Sequence, residues 1–324
     1  MAQKLAQIQA PVAEHIRQFE GHFRQAMRSR VVLLDRIMDY IVKRKGKQVR
    51  PLLVFLSAGA VGKIEERAYR GAGLIELLHT ATLVHDDVVD DAAYRRGFLS
   101  INALWKNKVA VLVGDYLLSR GLLLSVEHND FDLLKIVSEA VRQMSEGELL
   151  QMEKARKLDI SEQVYFDIIF KKTASLIASC CSIGAAAAGG DAETVELMEQ
   201  FGQKVGMAFQ IKDDLFDYGQ AEIGKPVGQD IKEKKMTLPL IYTLAHTDSS
   251  TRRHLLDLVK NQSHKQTAIK EVIDIVRAGK GLAYATETME EFRQQAIRLL
   301  HQLKPSPYRQ GLEDLVTYTI TREK

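Results

Sequence analysis

The segment GLIELLHTATLVHDDVVDDAAYRRG, residues 73–97, runs an apolar helix into a burst of charge. Leu74, Leu77, Leu78, Ala81 and the Leu83–Val84 pair recur at three- and four-residue steps, the period of a helix with one buried side. Asp86, Asp87, Asp90 and Asp91 close the run, and Arg95 and Arg96 follow. At about 100° per residue, Asp86 and Asp90 stand roughly 40° apart and Asp87 is three residues from Asp90, so the spacing predicts three carboxylates on one helix face. The C-terminal end of a helix is already its negative end. Like charges collected there cost stability unless a cation joins them.

The pattern returns in GMAFQIKDDLFDY, residues 206–218, where Asp213, Asp214 and Asp217 repeat the D-D-x-x-D spacing at the end of another apolar helix. One such cluster reads most simply as a solvated helix end. Two, each closing an apolar helix, read as opposed carboxylate faces that hold hard divalent cations. Magnesium takes few carboxylates and completes its shell with water and phosphate oxygens, so the pair of clusters implies a phosphorylated ligand held through metal. Cations are available to neutralise it: Lys47 and Arg50 in GKQVRP, Arg95 and Arg96, Lys172 in FKKTASL, and Lys225 and Lys235 in GKPVGQDIKEKKMTLP. Walker-type and dinucleotide fingerprints are absent.

The rest of the chain predicts an all-α fold. No proline occurs between residues 52 and 225, which suits long helices, and glycine- or proline-bearing breaks divide the sequence into about ten or more helices. No linker, low-complexity segment or internal repeat marks a boundary, so the expectation is a single domain over residues 1–324. Of the 324 residues 46% are hydrophobic, enough for a large core, and a net charge of +3 without a basic stripe excludes nucleic acid as the expected partner. The adjacent Cys180 and Cys181 read as core residues in a reducing compartment. MAQKLAQIQAPV lacks the apolar core of a signal peptide, and no uninterrupted apolar run reaches the roughly 18 residues of a membrane span, so the expected location is cytoplasmic.

DDVVDDAAYRRG followed by DDLFD resembles the two aspartate-rich motifs of the trans-isoprenyl diphosphate synthases, the polyprenyl synthetase family, and most resembles its long-chain, octaprenyl-type members. The likeness extends through GKQVRP, LLHTATLVHDD, NALWKNKVAVLVGDYLLSR, SEGELLQ, FKKTA and GKPVGQDIKEKKMTLPLIY, roughly residues 40 to 245. The resemblance implies the isoprenoid synthase fold, a large helical bundle around a central cavity, and a homodimer. It implies that Asp86 and Asp90, with Asp213 and Asp217 opposite, bind Mg²⁺ (three ions) together with an allylic diphosphate, Asp87 and Asp214 completing the two motifs. Arg95 resembles the allylic-diphosphate arginine, and Lys172, Lys235 and Lys225 its lysine partners. Lys47, Arg50, His79 and Arg96 match the positions that bind isopentenyl diphosphate. Thr173 and Gln210 match residues set against the reacting carbons. Two positions depart from the pattern: Gln48 stands where many members have a third basic residue, and Lys234 replaces a common glycine.

What the resemblance implies chemically is ionisation of an allylic diphosphate, farnesyl diphosphate being the expected primer, followed by attack of the isopentenyl double bond. The residues five and four before Asp86 are Ala81 and Thr82, where short-chain members carry a bulky aromatic. Small side chains there favour a long product, with quinone side chains as its expected fate and transient membrane contact for its release. The alternatives are a short-chain farnesyl or geranylgeranyl diphosphate synthase and, in a different class, a non-catalytic regulatory subunit. A class I terpene cyclase would carry an Asn/Ser/Glu second motif, whereas this chain repeats the aspartate motif.

Overall fold

The computed structural model describes residues 2–43, 46, 48–95, 97–158, 160–219 and 227–322. Lys47, Arg96 and Lys225 lie outside the described residues. The structure is 82% helical. In chain order the helices are α1 (Ala2–Gln9), α2 (Ala13–Met27), α3 (Val32–Lys43), α4 (Val49–Val61), α5 (Glu66–Val89), α6 (Ile101–Glu127), α7 (Phe131–Lys157), α8 (Glu162–Ile169), α9 (Ser175–Ala187) and α10 (Ala192–Phe216). The C-terminal third adds α11 (Gln229–Lys232), α12 (Leu238–Ala245), α13 (Ser249–Asn261), α14 (Gln266–Ala278), α15 (Gly281–Leu300) and α16 (Pro307–Thr321). Among the described residues the only strands are β1 (Tyr94–Arg95) and β2 (Phe98–Leu99), a two-residue antiparallel hairpin between α5 and α6.

Composition decides which helices lie inside. Leu52–Ala58 of α4 and nearly all of α9 are buried on every side, as expected of helices with no polar face. α4 packs on α9, α9 on α10 and α7, and α5 on both α4 and α6. The predicted face of α5 is present: Leu74, Leu77, Leu78, Ala81 and Val84 are buried. Cys180 and Cys181 are free thiols buried in α9, and burial pushes the Cys181 thiol up to about 12. Both therefore behave as small core side chains.

Small residues bring α10 against the helix before it. A Cβ at Gly206 would fall 2.4 Å from the Cα of Ala174, a distance no side chain can occupy. The contact sets the register between the second aspartate cluster, seven residues on, and the Phe170–Ala174 segment.

Two helical stretches, Ile101–Glu127 and Glu162–Ala187, are long and apolar enough by length and composition to cross a bilayer. The second is mostly buried in the core. The first, broken at Lys106 (φ 75°), leaves Val111, Leu112, Leu122, Leu123 and Val126 exposed along one side.

Candidate active site

The first aspartate cluster forms where α5 ends. Asp90 caps the helix, its N–H donating to the carbonyl of Asp86 over 2.8 Å, and Asp91 turns into the left-handed region (φ 48°) to start the hairpin. Asp86 and Asp90 are open to solvent, as their 40° separation predicts. Asp87 is not with them. It is 3% exposed and turned to the neighbouring side of the helix, where Arg95 Nε donates to its Oδ1 over 2.6 Å. The expectation of three carboxylates on one face is corrected to two, because 100° separates Asp87 from Asp86 and the hairpin folds Arg95 back onto it. A buried carboxylate needs such a partner.

The second cluster divides its three carboxylates more sharply. Asp213 is partly exposed. Asp214 is buried and accepts from Tyr165 Oη (2.7 Å) and Gln210 Nε2 (2.9 Å). Burial raises its carboxyl to about 7 against the opposing effect of those bonds. Asp217 accepts the backbone N–H of Gln229 (2.8 Å) and of Asp230 (3.1 Å), so it caps the short helix α11. Burial, then the nearby Asp230 carboxylate, pushes it up to about 6. Asp213 is thus the member of this motif turned outward, while Asp217 fastens the loop that carries Lys235.

A π-helical turn, Phe170–Ala174, presents the residues between the clusters. π turns widen a helix locally and recur at functional sites. Here the widening is accommodated by Gly147 of α7: a Cβ there would meet the backbone N of Lys172 at 2.9 Å. Lys172 Nζ lies 2.5 Å from Glu148 Oε2 and 3.3 Å from Gln151 Oε1. Thr173 Oγ1 donates to Gln210 Oε1 over 2.8 Å, which extends a chain Thr173–Gln210–Asp214–Tyr165. With its proton so committed, the Thr173 oxygen keeps its lone pairs for the site. Lys235 pairs with Glu233 (2.6 Å) and Asp230 (3.7 Å). Lys234 before it has φ 58°, which explains why glycine is common there: the left-handed turn is strained for any other residue.

Electrostatics tie these pieces into one site. Although the Asp86 side chain is exposed, partial desolvation by the surrounding protein raises its carboxyl, Glu148 and Asp90 raise it further, and Arg95 and Lys172 oppose them. Burial likewise raises Asp230 across the site, with Lys235 and, more weakly, Lys172 lowering it. Lys172 therefore acts on Asp86 and on Asp230, whose backbone N–H bonds Asp217. Arg50, expected on isopentenyl diphosphate, is held by Glu76 (2.7 Å), and His79 is half-buried about two turns before Asp86 on nearly the same side of α5. Arg50 and Arg95 both line a cavity of about 460 Å³ whose other walls include Phe19, Phe23, Leu83 and Phe98.

Among the described residues no three carboxylate, imidazole or thiolate groups stand close enough to form a ready-made metal cage. The donor set still fits a hard divalent ion. Asp86, Asp90 and Asp213 are outward-turned oxygen donors, the crowding of Asp86 by Glu148 and Asp90 asks for a cation, and a guanidinium, that of Arg322, already stands against Asp213. Magnesium needs only one or two carboxylates when phosphate oxygens and water supply the rest.

A family model described as Polyprenyl synthetase matches residues 31–276. The chain belongs to the polyprenyl synthetase family. It is a prenyltransferase of the trans-polyprenyl diphosphate synthase type, as the residues around its aspartate motifs led us to expect. Among the similar proteins is an all-trans-nonaprenyl-diphosphate synthase (geranyl-diphosphate specific) of Rhodobacter capsulatus, 37% identical over 97% of each chain. A decaprenyl diphosphate synthase structure from Rhodobacter capsulatus superposes with a TM-score of 0.92 at 32% identity, covering 99% of both chains. A polyprenyl synthase from Caulobacter crescentus, complexed with calcium and isoprenyl diphosphate, gives a TM-score of 0.87 at 29% identity and covers 100% of this chain and 98% of its own. The isoprenoid synthase fold is thereby shown.

Sequence reasoning did not find Glu148, Gln151, Tyr165, Asp230 or Arg322. The first two lie in SEGELLQ, recognised as a motif but without roles. Tyr165 and Arg322 meet the aspartates only through the tertiary fold, 49 and 109 residues away in sequence.

Proposed function

We propose that this synthase condenses isopentenyl diphosphate head-to-tail onto an allylic diphosphate, farnesyl diphosphate being the expected primer, with Mg²⁺, and makes a long-chain all-trans polyprenyl diphosphate for quinone side chains. The observation that carries the reading is Lys172, a cation on a π turn that acts on Asp86 of the first motif and on Asp230, whose N–H bonds Asp217 of the second. That the Caulobacter crescentus homologue is complexed with calcium and isoprenyl diphosphate supports a divalent metal and an isoprenoid diphosphate as ligands of this chain.

Asp86, Asp90 and Asp213 would hold the divalent ions; Asp217, whose oxygens cap α11, is a weaker candidate than its place in the motif implies. Bound metal supplies charge neutralisation for the departing diphosphate. The chain's own part is to position cations and exclude water. Lys172 and Lys235 would bind the diphosphate and stabilise the negative charge that grows as the C1–O bond breaks. Thr173 turns its oxygen lone pairs toward the allylic cation. The isopentenyl double bond then attacks C1, and the proton lost from the isopentenyl unit goes to the diphosphate released in the first step. The exposed apolar side of α6 is the proposed homodimer surface; pairing it would remove Val111, Leu112, Leu122 and Leu123 from water.

The direct test is to incubate the purified chain with Mg²⁺, farnesyl diphosphate and labelled isopentenyl diphosphate and to size the products. Long chains support the proposal. Products that stop at the first one or two additions assign it to the short-chain class, and metal and substrate binding without turnover assigns it to the regulatory one.

Substrate assignment has its own test. Arg50→Ala should chiefly raise KM for isopentenyl diphosphate and Arg95→Ala chiefly impair the allylic substrate, each by about ten- to a hundred-fold for one lost charge-assisted contact. Arg95→Ala also strips the partner from buried Asp87, so its melting temperature should fall where that of Arg95→Lys does not. An identical substrate pattern in the two alanine variants would remove the division of labour.

A further inference from the structure

The α10 face that carries Asp213 also carries Phe209 and Phe216, four residues before and three after, and the last described residue of the chain lies on it. Arg322 follows α16 in extended conformation (ψ 140°), with its N–H still bonded to Tyr318 O over 3.0 Å. One guanidinium nitrogen donates to Asp213 Oδ1. Its Cζ is 4.2 Å from the Phe209 ring centre and 5.5 Å from that of Phe216. The side chain is 17% exposed, and its Nε is buried without a hydrogen-bond partner among the described residues. α16 itself is fixed, with Leu312, Leu315, Val316 and Tyr318 buried against the bundle.

This arrangement joins a firm anchor to a poor ion pair. An arginine built into a permanent carboxylate bridge normally uses its fork in two parallel bonds. Arg322 spends one nitrogen on Asp213 and leaves Nε unsatisfied, which costs the pair part of its stability. The aromatic rings hold the planar cation over the face without requiring Asp213. Rotation about the Arg322 side chain alone would release the carboxylate while α16 stays docked.

We propose that Arg322 is a resident counter-cation for the second aspartate cluster: it neutralises Asp213 while the site lacks divalent metal and is displaced when metal loads. The proposal rests on the reading of Asp213 as a metal ligand. Its consequence is that the metal must compete with a tethered guanidinium, so the apparent affinity of the site is weaker than its oxygens alone would give, and the empty site is spared the repulsion of uncompensated carboxylates.

The test measures metal binding, not turnover. Mn²⁺ is titrated into the full-length wild type, Arg322→Gln, Arg322→Lys and Asp213→Asn, with and without inorganic pyrophosphate, and free Mn²⁺ is read by electron paramagnetic resonance. Hydrogen exchange at Tyr318–Arg322 is followed in parallel. Loss of this half-buried ion pair is expected to tighten Mn²⁺ binding in Arg322→Gln by about two- to five-fold, with Arg322→Lys between it and the wild type. Exchange at the end of α16 should stay unchanged when Mn²⁺ and pyrophosphate load the wild type, because only the Arg322 side chain moves and its N–H keeps the bond to Tyr318 O. Unchanged or weaker Mn²⁺ binding by folded Arg322→Gln overturns the counter-cation role and leaves the metal assignment standing, provided Asp213→Asn still loses affinity. Wild-type affinity in Asp213→Asn removes the metal assignment itself, and the proposal with it.

Discussion

Asp86→Ala and Asp213→Ala should each reduce turnover by about a thousand-fold or more, since each removes a carboxylate where charge on the leaving diphosphate must be met. Asp86 is an outward-turned oxygen donor of the first cluster, crowded by Glu148 and Asp90, and Asp213 is the outward-turned donor of the second. Asp86→Ala removes an exposed carboxylate and Asp213→Ala the bond from Arg322, whose cation stays over the Phe209 and Phe216 rings, so both variants should fold. Asp86→Ala should melt at or slightly above the wild-type temperature without metal because a like-charge conflict is relieved. Asp214→Ala gives the contrast. It empties a buried position bonded to Tyr165 and Gln210 and leaves the Tyr165 hydroxyl without its acceptor, so activity and stability should fall together. Steady-state rates at saturating Mg²⁺, read beside thermal melts, separate the two patterns. Near-normal turnover in both Asp86→Ala and Asp213→Ala would discard the two-cluster site.

The helices were legible because burial imposes a period, and the aspartate motifs were legible because repulsion at a helix end has to be answered. What spacing could not resolve was the division of labour within each motif. The 100° between Asp86 and Asp87 was visible, but whether the neighbouring side met solvent or a folded-back arginine depended on the β1–β2 hairpin. Asp217 was expected among four metal ligands, and spacing could not show that both its oxygens accept from the start of α11. Lys234 departs from a glycine at a position whose backbone has a positive φ, a conformation its spacing does not announce. Arg322 had no motif to announce it, because its meaning comes from where the end of α16 meets α10. Residues whose role is set by their own helix were readable. Those whose role is set by a neighbour from elsewhere in the chain were not.

Chain length turns on the same distinction, and it moves the decisive experiment from Ala81 to Thr82. Ala81 is fully buried and belongs to a cluster with Met27, Met38, Val113 and Leu117, on the side of α5 that meets α6. It stands about 140° around the helix from Asp86, whereas Thr82, four residues before Asp86, is only about 40° away. Thr82 is half-buried, and its hydroxyl is turned back to donate to the carbonyl of His79 over 2.9 Å, so its methyl is the apolar surface it offers. Thr82→Phe puts a ring about 6 Å along the helix axis from Asp86 and should cut the products to roughly fifteen to twenty carbons while primer ionisation continues. Ala81→Phe should act differently. Forcing a ring into a closed cluster costs about 1–3 kcal/mol or more, so it should lower the melting temperature and shorten the product less. Product sizing by reversed-phase chromatography, beside a melt of each variant, reads both effects. A folded, active Thr82→Phe enzyme with the wild-type product distribution would show that the growing chain leaves the carboxylates along another wall, and the small residues before Asp86 would then mark helix packing alone.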